Sequence, residues 1–132
     1  MQTDTIICPC GTGKEYRNCC QKAHNAPAFI ATAEELMRSR YSAFTLANGP
    51  YLIETHHSAT RHNVDENDLV EWAKSVKWLK LEIIRTTTGQ PTDISGTVEF
   101  KAHFKERGKA RFIHENSYFE KEYGTWKYKS IV

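Results

Sequence analysis

All four cysteines of this 132-residue chain fall within its first twenty residues, and this grouping constrains the amino-terminal fold more than any other feature. They form two pairs, Cys8-Pro-Cys10 and Cys19-Cys20. Zinc takes four soft ligands in a tetrahedron, with sulfurs about 2.3 Å from the metal. Gly11 and Gly13 lie between the pairs and tolerate the positive φ that lets a loop fold back over an ion. The pattern therefore predicts one zinc ion per chain, bound by these four cysteines.

Three basic residues, Lys14, Arg17 and Lys22, flank the cysteines. A zinc ion with four thiolates carries a net negative charge, so nearby cations lower the cost of keeping the thiols deprotonated. Four sulfurs leave no open coordination position, which predicts a structural metal and not a catalytic one. His24, four residues after Cys20, is a weaker competing ligand because the sulfurs already complete the shell.

Two disulfides, or free thiols, are the alternatives to zinc. Met1 to Cys8 carries neither a basic stretch nor a long apolar one, so no secretory signal is expected. A bridge between adjacent cysteines, or across one residue, needs strained backbone geometry. Disulfides among cysteines this close together would also cross-link no other part of the fold. These points favour zinc in a reduced, cytoplasmic protein.

Size and charge set the remaining bounds. A zinc knuckle over residues 1–25 leaves 28–132 for one compact domain with its own core. The formal net charge of +2 gives no strong nucleic-acid signature, and no apolar run is long enough to span a membrane.

Helical patterns dominate the first half of this domain. After a short linker at 23–27, Thr32 and Glu35 form a capping box for a helix running to about Leu46. Pro50 suits the first turn of a second helix, and a third begins near Asn67 or Asp68 after a polar stretch at 58–63. The expected buried faces comprise Met37, Tyr41 and Phe44 in the first helix, and Leu69, Trp72, Ala73 and Val76 in the third.

From Trp78 the apolar period changes to two. Leu79, Leu81 and Ile83 alternate with charged residues, and 86–93 is expected to be a loop. The even-numbered residues from Ile94 to Phe104 are apolar or small, whereas the odd-numbered ones are polar, which predicts a strand with one buried face. Turns at 106–109 and 123–124 lead into strands at 110–121 and around Trp126 and Tyr128. Three helices packed on one face of an antiparallel sheet make an α+β fold.

Specific strings add a resemblance to this pattern. The segment Cys8-Pro-Cys-Gly-Thr-Gly-Lys-Glu-Tyr-Arg-Asn-Cys-Cys20 resembles the SEC-C zinc motif of the translocation ATPase SecA, with Cys20 where SecA has His. Leu36-Met-Arg-Ser-Arg-Tyr-Ser-Ala-Phe44, His114-Glu-Asn-Ser-Tyr-Phe119 and Trp126-Lys-Tyr128 then resemble the YchJ-like family. That resemblance implies a cone-shaped domain similar to nuclear transport factor 2, a bent sheet wrapped around helices with a pocket inside.

Six polar residues are candidates for lining the pocket: Arg38, Arg40, Tyr41, His57, Glu115 and Ser117. Arg38 and Arg40 diverge by about 200° on a helix, so at most one points inward, and the pattern favours Arg40. A buried Arg40–Glu115 pair is expected, and a structural ion pair is the preferred interpretation over a catalytic one. His56, His57 and His62 are expected to be surface loop residues.

Two functions remain open. The resemblance to the SEC-C motif of SecA, which is linked to contacts with the chaperone SecB and with ribosomes, implies a non-catalytic interaction module whose contact surface includes Lys14, Arg17 and Lys22. The alternative is an enzyme or small-molecule binder that uses the cone's pocket. The sequence contains no nucleophile–base pair and no spaced carboxylate dyad, so the first hypothesis is favoured and no membrane association is expected.

Overall fold

A computed structural model describes residues 6–132, in which one four-stranded antiparallel sheet follows a series of five short and medium helices. The strands pair in chain order, β1-β2-β3-β4. The elements are α1 (Cys20–Asn25), α2 (Ala33–Thr45), α3 (Gly49–Glu54), α4 (Ser58–Arg61), α5 (Glu66–Ser75), β1 (Lys77–Thr88), β2 (Ser95–Glu106), β3 (Lys109–Glu122) and β4 (Thr125–Ile131). The predicted α+β class is confirmed.

Helix α2 is the central helix of the domain and starts as predicted. The Thr32 side chain accepts a hydrogen bond from the Glu35 amide at 3.1 Å. The Glu35 carboxylate reaches back one residue further than in a standard capping box, to the Ala31 amide at 2.8 Å. Leu36, Met37 and Tyr41 are buried along the helix, which packs on β1, β2 and β4.

The next two predicted helices are also present. Asn48 caps α3 by accepting from the Tyr51 amide, and Pro50 lies in the first turn. Asp65 caps α5 by accepting from the Asp68 amide, so this helix begins one to two residues earlier than predicted.

Two-residue turns set the register of the sheet. Arg107 and Gly108 join β2 to β3, and Tyr123 and Gly124 join β3 to β4. All four residues have positive φ, the geometry whose twist suits a tight hairpin between antiparallel strands. Both turns are where the sequence predicts them.

The core lies between α2 and one face of the sheet. The even-numbered residues of β2 from Gly96 to Phe104 are buried as predicted. Phe119 and Trp126 extend the same layer from the last two strands. The sequence pattern predicts that Ile94 shares this face, but Ile94 precedes the strand and is 74% exposed.

Strand β1 departs from the predicted alternation. The register shifts between Trp78 and Lys80 and again between Ile83 and Arg85. Irregularities of this kind bend a strand and change which residues face the core. Leu81 is buried, but Leu79 is exposed, contrary to prediction. The strand also continues to Thr88, through residues that the sequence predicts to be a loop.

Two segments predicted to be irregular are helical. The linker at 23–27 is occupied by α1, which ends at Asn25, and by a 3-10 turn over Pro27–Phe29. The polar stretch at 58–63 contains α4. His56, expected on the surface, is buried because the backbone around it pairs with Tyr128 of β4.

No helix among residues 6–132 is long and apolar enough to cross a bilayer. The start of the predicted 1–25 zinc segment, residues 1–5, lies outside the described residues.

Candidate metal centre

The cysteine-bearing segment 6–25, called the knuckle below, is built from a short ribbon, a loop and a helix. The Cys8 amide donates to the Lys14 carbonyl at 2.8 Å, and the Tyr16 amide donates to the Ile6 carbonyl at 2.7 Å. Gly11 and Gly13 turn the intervening loop with φ of 92° and 85°. A 3-10 turn over Tyr16–Asn18 then leads to Cys19 and α1. The loop and the helix start therefore bring the two cysteine pairs together.

The four sulfur atoms form one cluster. All of them lie within 4.8 Å of one another, and Cys10 Sγ is 3.5 Å from Cys19 Sγ. Four sulfurs about 2.3 Å from a tetrahedral zinc ion are about 3.8 Å apart, whereas a disulfide joins sulfurs at about 2.05 Å. Cys8, Cys10 and Cys20 are buried and Cys19 is partly exposed. The cluster therefore has the donor set and the spacing to hold one four-coordinate metal ion.

The thiols in this cluster perturb one another strongly. A hydrogen bond from Cys10 lowers the pKa of Cys8, while hydrogen bonds with Cys10 and Cys8, together with burial, raise the pKa of Cys20. One thiolate is thus stabilised by neighbours that stay protonated. Only a cation among the sulfurs would let all four ionise together.

Two hydroxyl groups surround the sulfurs. Ser42 Oγ of α2 lies 3.5 Å from Cys8 Sγ, and Thr12 Oγ1 lies 3.2 Å from Cys19 Sγ. A hydroxyl can donate to a thiolate, so both are placed to stabilise ionised ligands and to fix their orientation. Ser42 is fully buried, which makes it a part of the site that comes from the following domain.

His24 fixes the knuckle to α2 and is not a ligand. Its Nε2 atom is 2.8 Å from the Ser39 carbonyl and its Nδ1 atom is 2.6 Å from the Tyr16 hydroxyl. Because a carbonyl only accepts, Nε2 carries the hydrogen and Nδ1 accepts from Tyr16. Burial lowers the pKa of His24, which keeps the ring neutral in this arrangement. The ring also lies 4.5 Å from the ring of Tyr51.

Arg38 makes a second link between knuckle and helix. Its guanidinium donates to the Cys10 carbonyl at 2.7 Å and to the Glu34 carboxylate at 3.0 Å. The sequence predicts Arg38 as a pocket residue, but it supports the loop between the ligands instead. A charge-assisted bond of this kind is stronger than a neutral one.

These contacts explain part of the string Met37-Arg-Ser-Arg-Tyr-Ser-Ala43. Ser42 follows Arg38 by four residues and Ser39 by three, so these side chains lie on the side of α2 that meets the knuckle. Sequence reasoning missed Ser39 and Ser42 as site residues, and it considered His24 only as a competing ligand and not as a contact to α2. The available signal was the polar run on a helix whose other face is apolar.

Arg40 is buried as predicted, but it does not pair with Glu115. Its guanidinium donates to the Leu52 carbonyl at 2.9 Å and to Thr55 Oγ1 at 2.6 Å, and it lies 4.9 Å from the ring centre of Tyr128. The last turn of α3 leaves carbonyl groups without helical partners, and these supply the acceptor. Glu115 is half-buried, and burial raises its pKa.

The remaining pocket candidates lie on different elements of the domain. Tyr41 is buried against Trp78 at the edge of a groove of about 580 Å³. His57 caps α4 by accepting from the Ala59 amide, with Glu120 3.4 Å from its other nitrogen. Ser117 is buried in β3. Four of the six candidates line neither this groove nor a second groove, which lies beside the knuckle. These four are Arg40, His57, Glu115 and Ser117.

The three basic candidates lie on the outside of the knuckle. Lys14, Arg17 and Lys22 are all exposed, and Arg17 pairs with Glu15 at 3.2 Å. Lys14 and Lys22 border a groove of about 450 Å³ between the knuckle and the first turns of α2, called the knuckle groove below. Its lining also includes Cys19, Phe29, Ile30 and Arg38, together with the carboxylates Glu34 and Glu35.

Comparisons with known proteins agree with this geometry. Residues 7–22 match the SEC-C motif, and residues 32–130 match the model described as "YchJ, middle NTF2-like domain". A UPF0225 protein of Geobacter sulfurreducens is 43% identical over 92% of this chain and 76% of its own length. A UPF0225 protein of Corynebacterium glutamicum is 40% identical over 93% of this chain and 94% of its own length.

Solved structures give the same result. The solution structure of a SEC-C motif containing protein from Rhodopseudomonas palustris matches with a TM-score of 0.83 and 33% identity, covering 96% of this chain and 98% of that one. The crystal structure of a SEC-C motif containing protein from Psychrobacter arcticus matches with a TM-score of 0.83 and 32% identity, covering 98% and 84%. The chain belongs to the YchJ-like family, with a SEC-C motif followed by an NTF2-like domain.

Proposed function

We propose that this protein is a zinc-stabilised interaction module that binds a partner protein or the ribosome through the knuckle and the groove beside it. The supporting observation is the position of the knuckle groove, which places exposed cations and an exposed aromatic ring directly against the metal-binding segment. Contact surfaces with a hydrophobic centre and a charged rim are typical of protein–protein recognition.

The metal in this proposal is zinc, one per chain, bound by Cys8, Cys10, Cys19 and Cys20. Four thiolates are the ligand set of structural zinc, which would fix a segment too short to have an apolar core of its own. The residues of this chain keep the loop folded over the sulfurs and attach it to α2. A protein with four reduced thiols is expected in the cytoplasm.

Phe29 gives the groove an apolar anchor. It lies in the 3-10 turn that leads from the knuckle to α2, and its side chain is 86% exposed. An exposed aromatic ring gains free energy when a partner covers it, and such anchors carry much of the energy of protein interfaces. Ile30, beside it, is partly buried in the same groove.

The lysines at the edge of the groove determine the charge expected of the partner, although Glu34 and Glu35 line the same groove. Lys14 and Lys22 border the groove and have no carboxylate within 4 Å among residues 6–132. They would meet an acidic protein surface or ribosomal phosphates, and the contact should weaken as salt rises because exposed charges are screened.

The test is capture of partners from a lysate and co-sedimentation with ribosomes, using the intact protein and charge-reversed variants. Lys14→Glu combined with Lys22→Glu should abolish both signals while the bound zinc remains. Phe29→Ala should weaken them without removing their salt dependence. Lys74→Glu, an exposed change on α5, is the control. Equal capture by the knuckle variants and the control would reject the proposed contact surface.

No catalytic role is proposed. The alternative, a small-molecule binder or enzyme, would use the groove of about 580 Å³ lined by Pro9, Tyr41, Trp78 and Leu79. Only Tyr41 among the six predicted pocket residues reaches this groove, and burial raises its pKa to about 12. Turnover or ligand binding that disappears in Tyr41→Phe and persists when the knuckle is mutated would favour this alternative.

A further inference from the structure

No helix of the described chain packs on the sheet face that points away from α2. This face differs from an ordinary polar, solvent-exposed surface. The odd-numbered residues of β2 lie on this face. The register places Lys80 beside His103, and His103 beside Phe112, in one row across three strands. The next row in one direction is Glu82, Lys101 and His114, and in the other it is Lys77, Lys105 and Ala110.

Phe112 is the unusual residue on this face. Its side chain is 54% exposed, although it lies in the middle of a polar surface. The Lys101 ammonium group is 4.9 Å from the ring centre, and the His103 ring is 5.7 Å away. The aromatic ring thus has two nitrogen-bearing side chains beside it, and its exposed part leaves apolar area in water for a planar partner to cover.

Positive charge is concentrated at this end of the sheet. Cations outnumber carboxylates there, although the formal charge of the whole chain is only +2. On the face itself the cations are Lys77, Lys80, Lys101 and Lys105 and the carboxylates are Glu82 and Glu99, while Lys109, Arg111 and Glu106 lie at the same end but on the other face.

The carboxylates at this end already have partners. Glu82 lies 3.2 Å from His103, Glu99 lies 2.8 Å from His114, and Glu106 lies 3.3 Å from Arg111. Within residues 6–132, by contrast, no carboxylate lies within 4 Å of Lys77, Lys80 or Lys105. The hydrogen bond from His103, with smaller effects of Lys101 and Lys80, lowers the pKa of the Glu82 carboxyl. The lysines are therefore available to an external anion.

We propose that this basic face, defined by Lys80, Lys101, Lys105 and Phe112, binds single-stranded nucleic acid. Alternate residues on a strand are about 6.8 Å apart and neighbouring strands about 4.8 Å apart, so Lys101 and Lys105 lie about 14 Å apart on β2, with Lys80 of β1 beside the His103 between them. Single strands bind to such surfaces by phosphate contacts to cations and by stacking of bases on exposed aromatic rings.

The shape of the face favours a single strand over a duplex or an acidic protein. A sheet surface presents no helix or ribbon that could enter a groove of a duplex. An acidic protein would satisfy the lysines but would leave the isolated ring without the planar partner that every base supplies. The face is also separate from the knuckle groove, so the two sites can be tested independently.

The test is fluorescence anisotropy with a labelled twelve-nucleotide oligo(U) RNA and the matching oligo(dT), measured across a salt series. Phe112→Ala should weaken binding about 5- to 100-fold, the effect expected for one stacked base. Lys80→Ala combined with Lys105→Ala should lower the slope of log K against log salt by about 0.7 for each phosphate that these lysines neutralise.

Tyr123 provides the matched control. It is a fully exposed aromatic residue on the β3–β4 turn, away from the basic face, so Tyr123→Ala should leave binding unchanged. Thermal unfolding of each variant checks that the sheet is intact.

Three results would overturn the proposal. These are failure of both oligonucleotides to bind, equal weakening in the Phe112 and Tyr123 variants, and preferential binding of a poly-glutamate peptide or of a second copy of the chain to this face.

Discussion

The knuckle and the sheet domain are held together by different forces, although they lie side by side. In the domain, residues such as Leu36, Val98 and Phe119 are fully buried between α2 and the sheet. In the knuckle the buried residues are Cys8, Cys10 and Cys20, with Tyr16 and Cys19 partly buried beside them. Apolar burial stabilises the first region, whereas the second has the donor set for a metal ion, and we expect its fold to depend on one.

The junction between the two regions is polar. Arg38 donates to the Cys10 carbonyl, Ser42 contacts the Cys8 thiol, and the half-buried imidazole of His24 donates to the Ser39 carbonyl. Such bonds give orientation more than stability, because each contributes only about 1 kcal/mol net unless a charge is involved. We therefore expect that the knuckle can lose its fold while the domain keeps its own, and the following changes test that separation.

Removal of the metal should have the largest effect. Structural zinc contributes about 10–16 kcal/mol of apparent binding energy in zinc-finger peptides, far more than any packing contact here. Cys20→Ser should reduce zinc from one ion per chain to almost none, as measured by elemental analysis. NMR amide signals from the knuckle should collapse, and those from 33–132 should stay dispersed.

Two results would contradict this prediction. Global unfolding of Cys20→Ser would show that the domain depends on the knuckle for its stability. A disulfide detected by mass spectrometry in the native protein would remove the zinc site itself. Cys19→Ser is expected to lose metal in the same way, because the predicted ligand shell needs all four sulfurs.

Loss of core packing should have the next largest effect, on the other region. Phe100 is 5% exposed, and Phe100→Ala should lower the free energy of unfolding by about 3–5 kcal/mol. Lys101→Ala, the next residue on the opposite face, should change it by less than about 0.5 kcal/mol. Urea unfolding measures both. Zinc content should be unchanged in Phe100→Ala, and its loss would show that the two regions share one stability.

These two regions also differ in how far the sequence predicts them. The β2 strand and its hairpin follow from local patterns, because alternation from Gly96 to Phe104 and a glycine at 108 determine face and turn together. The cysteine cluster is equally local, since its ligands lie within thirteen residues. Both are predictable because the deciding contacts are close in sequence.

The features that sequence reasoning missed depend on contacts distant in sequence. His56 is buried because the chain beside it pairs with Tyr128 of β4, and no residue close to His56 in the sequence indicates that pairing. The Arg40 guanidinium donates to the Leu52 carbonyl and does not pair with Glu115, because the packing of α3 against α2 brings that carbonyl beside it. In the sequence, Ser39 and Ser42 resemble surface residues, but in the structure the knuckle lies over them. Helical and strand periodicity predicts which residues are buried, but it does not predict their polar partners.

Acidification should destabilise the domain through His56. Burial, with smaller effects of Arg40 and Arg61, lowers the pKa of His56 to about 4, against about 6.5 in an unfolded chain. Between these values the unfolded state binds more protons, so the free energy of unfolding falls as pH drops from about 6.5 to 4. The expected decrease is roughly 1–3 kcal/mol over this window.

Denaturant unfolding between pH 4 and 7, compared with His56→Gln, measures this effect. Glutamine can still bond to Thr60, which lies 3.0 Å from His56 Nε2, but it does not titrate. The difference between the two curves should therefore shrink toward pH 4. Parallel curves across the window would show that His56 is not buried in the neutral form.

The smallest predicted effect concerns the junction itself. Arg38→Ala removes the donor to the Cys10 carbonyl, and a hydrogen bond to a charged group contributes about 1.5–3 kcal/mol, less here because Arg38 is partly exposed. We expect an increase of about fivefold to tenfold in hydrogen exchange at knuckle amides, with zinc still bound. Lys22→Ala, exposed on the same segment, should leave exchange unchanged. Arg38 contacts a carbonyl group and no sulfur. Faster exchange with full zinc occupancy would therefore show that the knuckle can fold around its metal without being held firmly against α2. Loss of zinc in Arg38→Ala would instead show that metal binding requires the docked position, and the two regions would then form one cooperative unit.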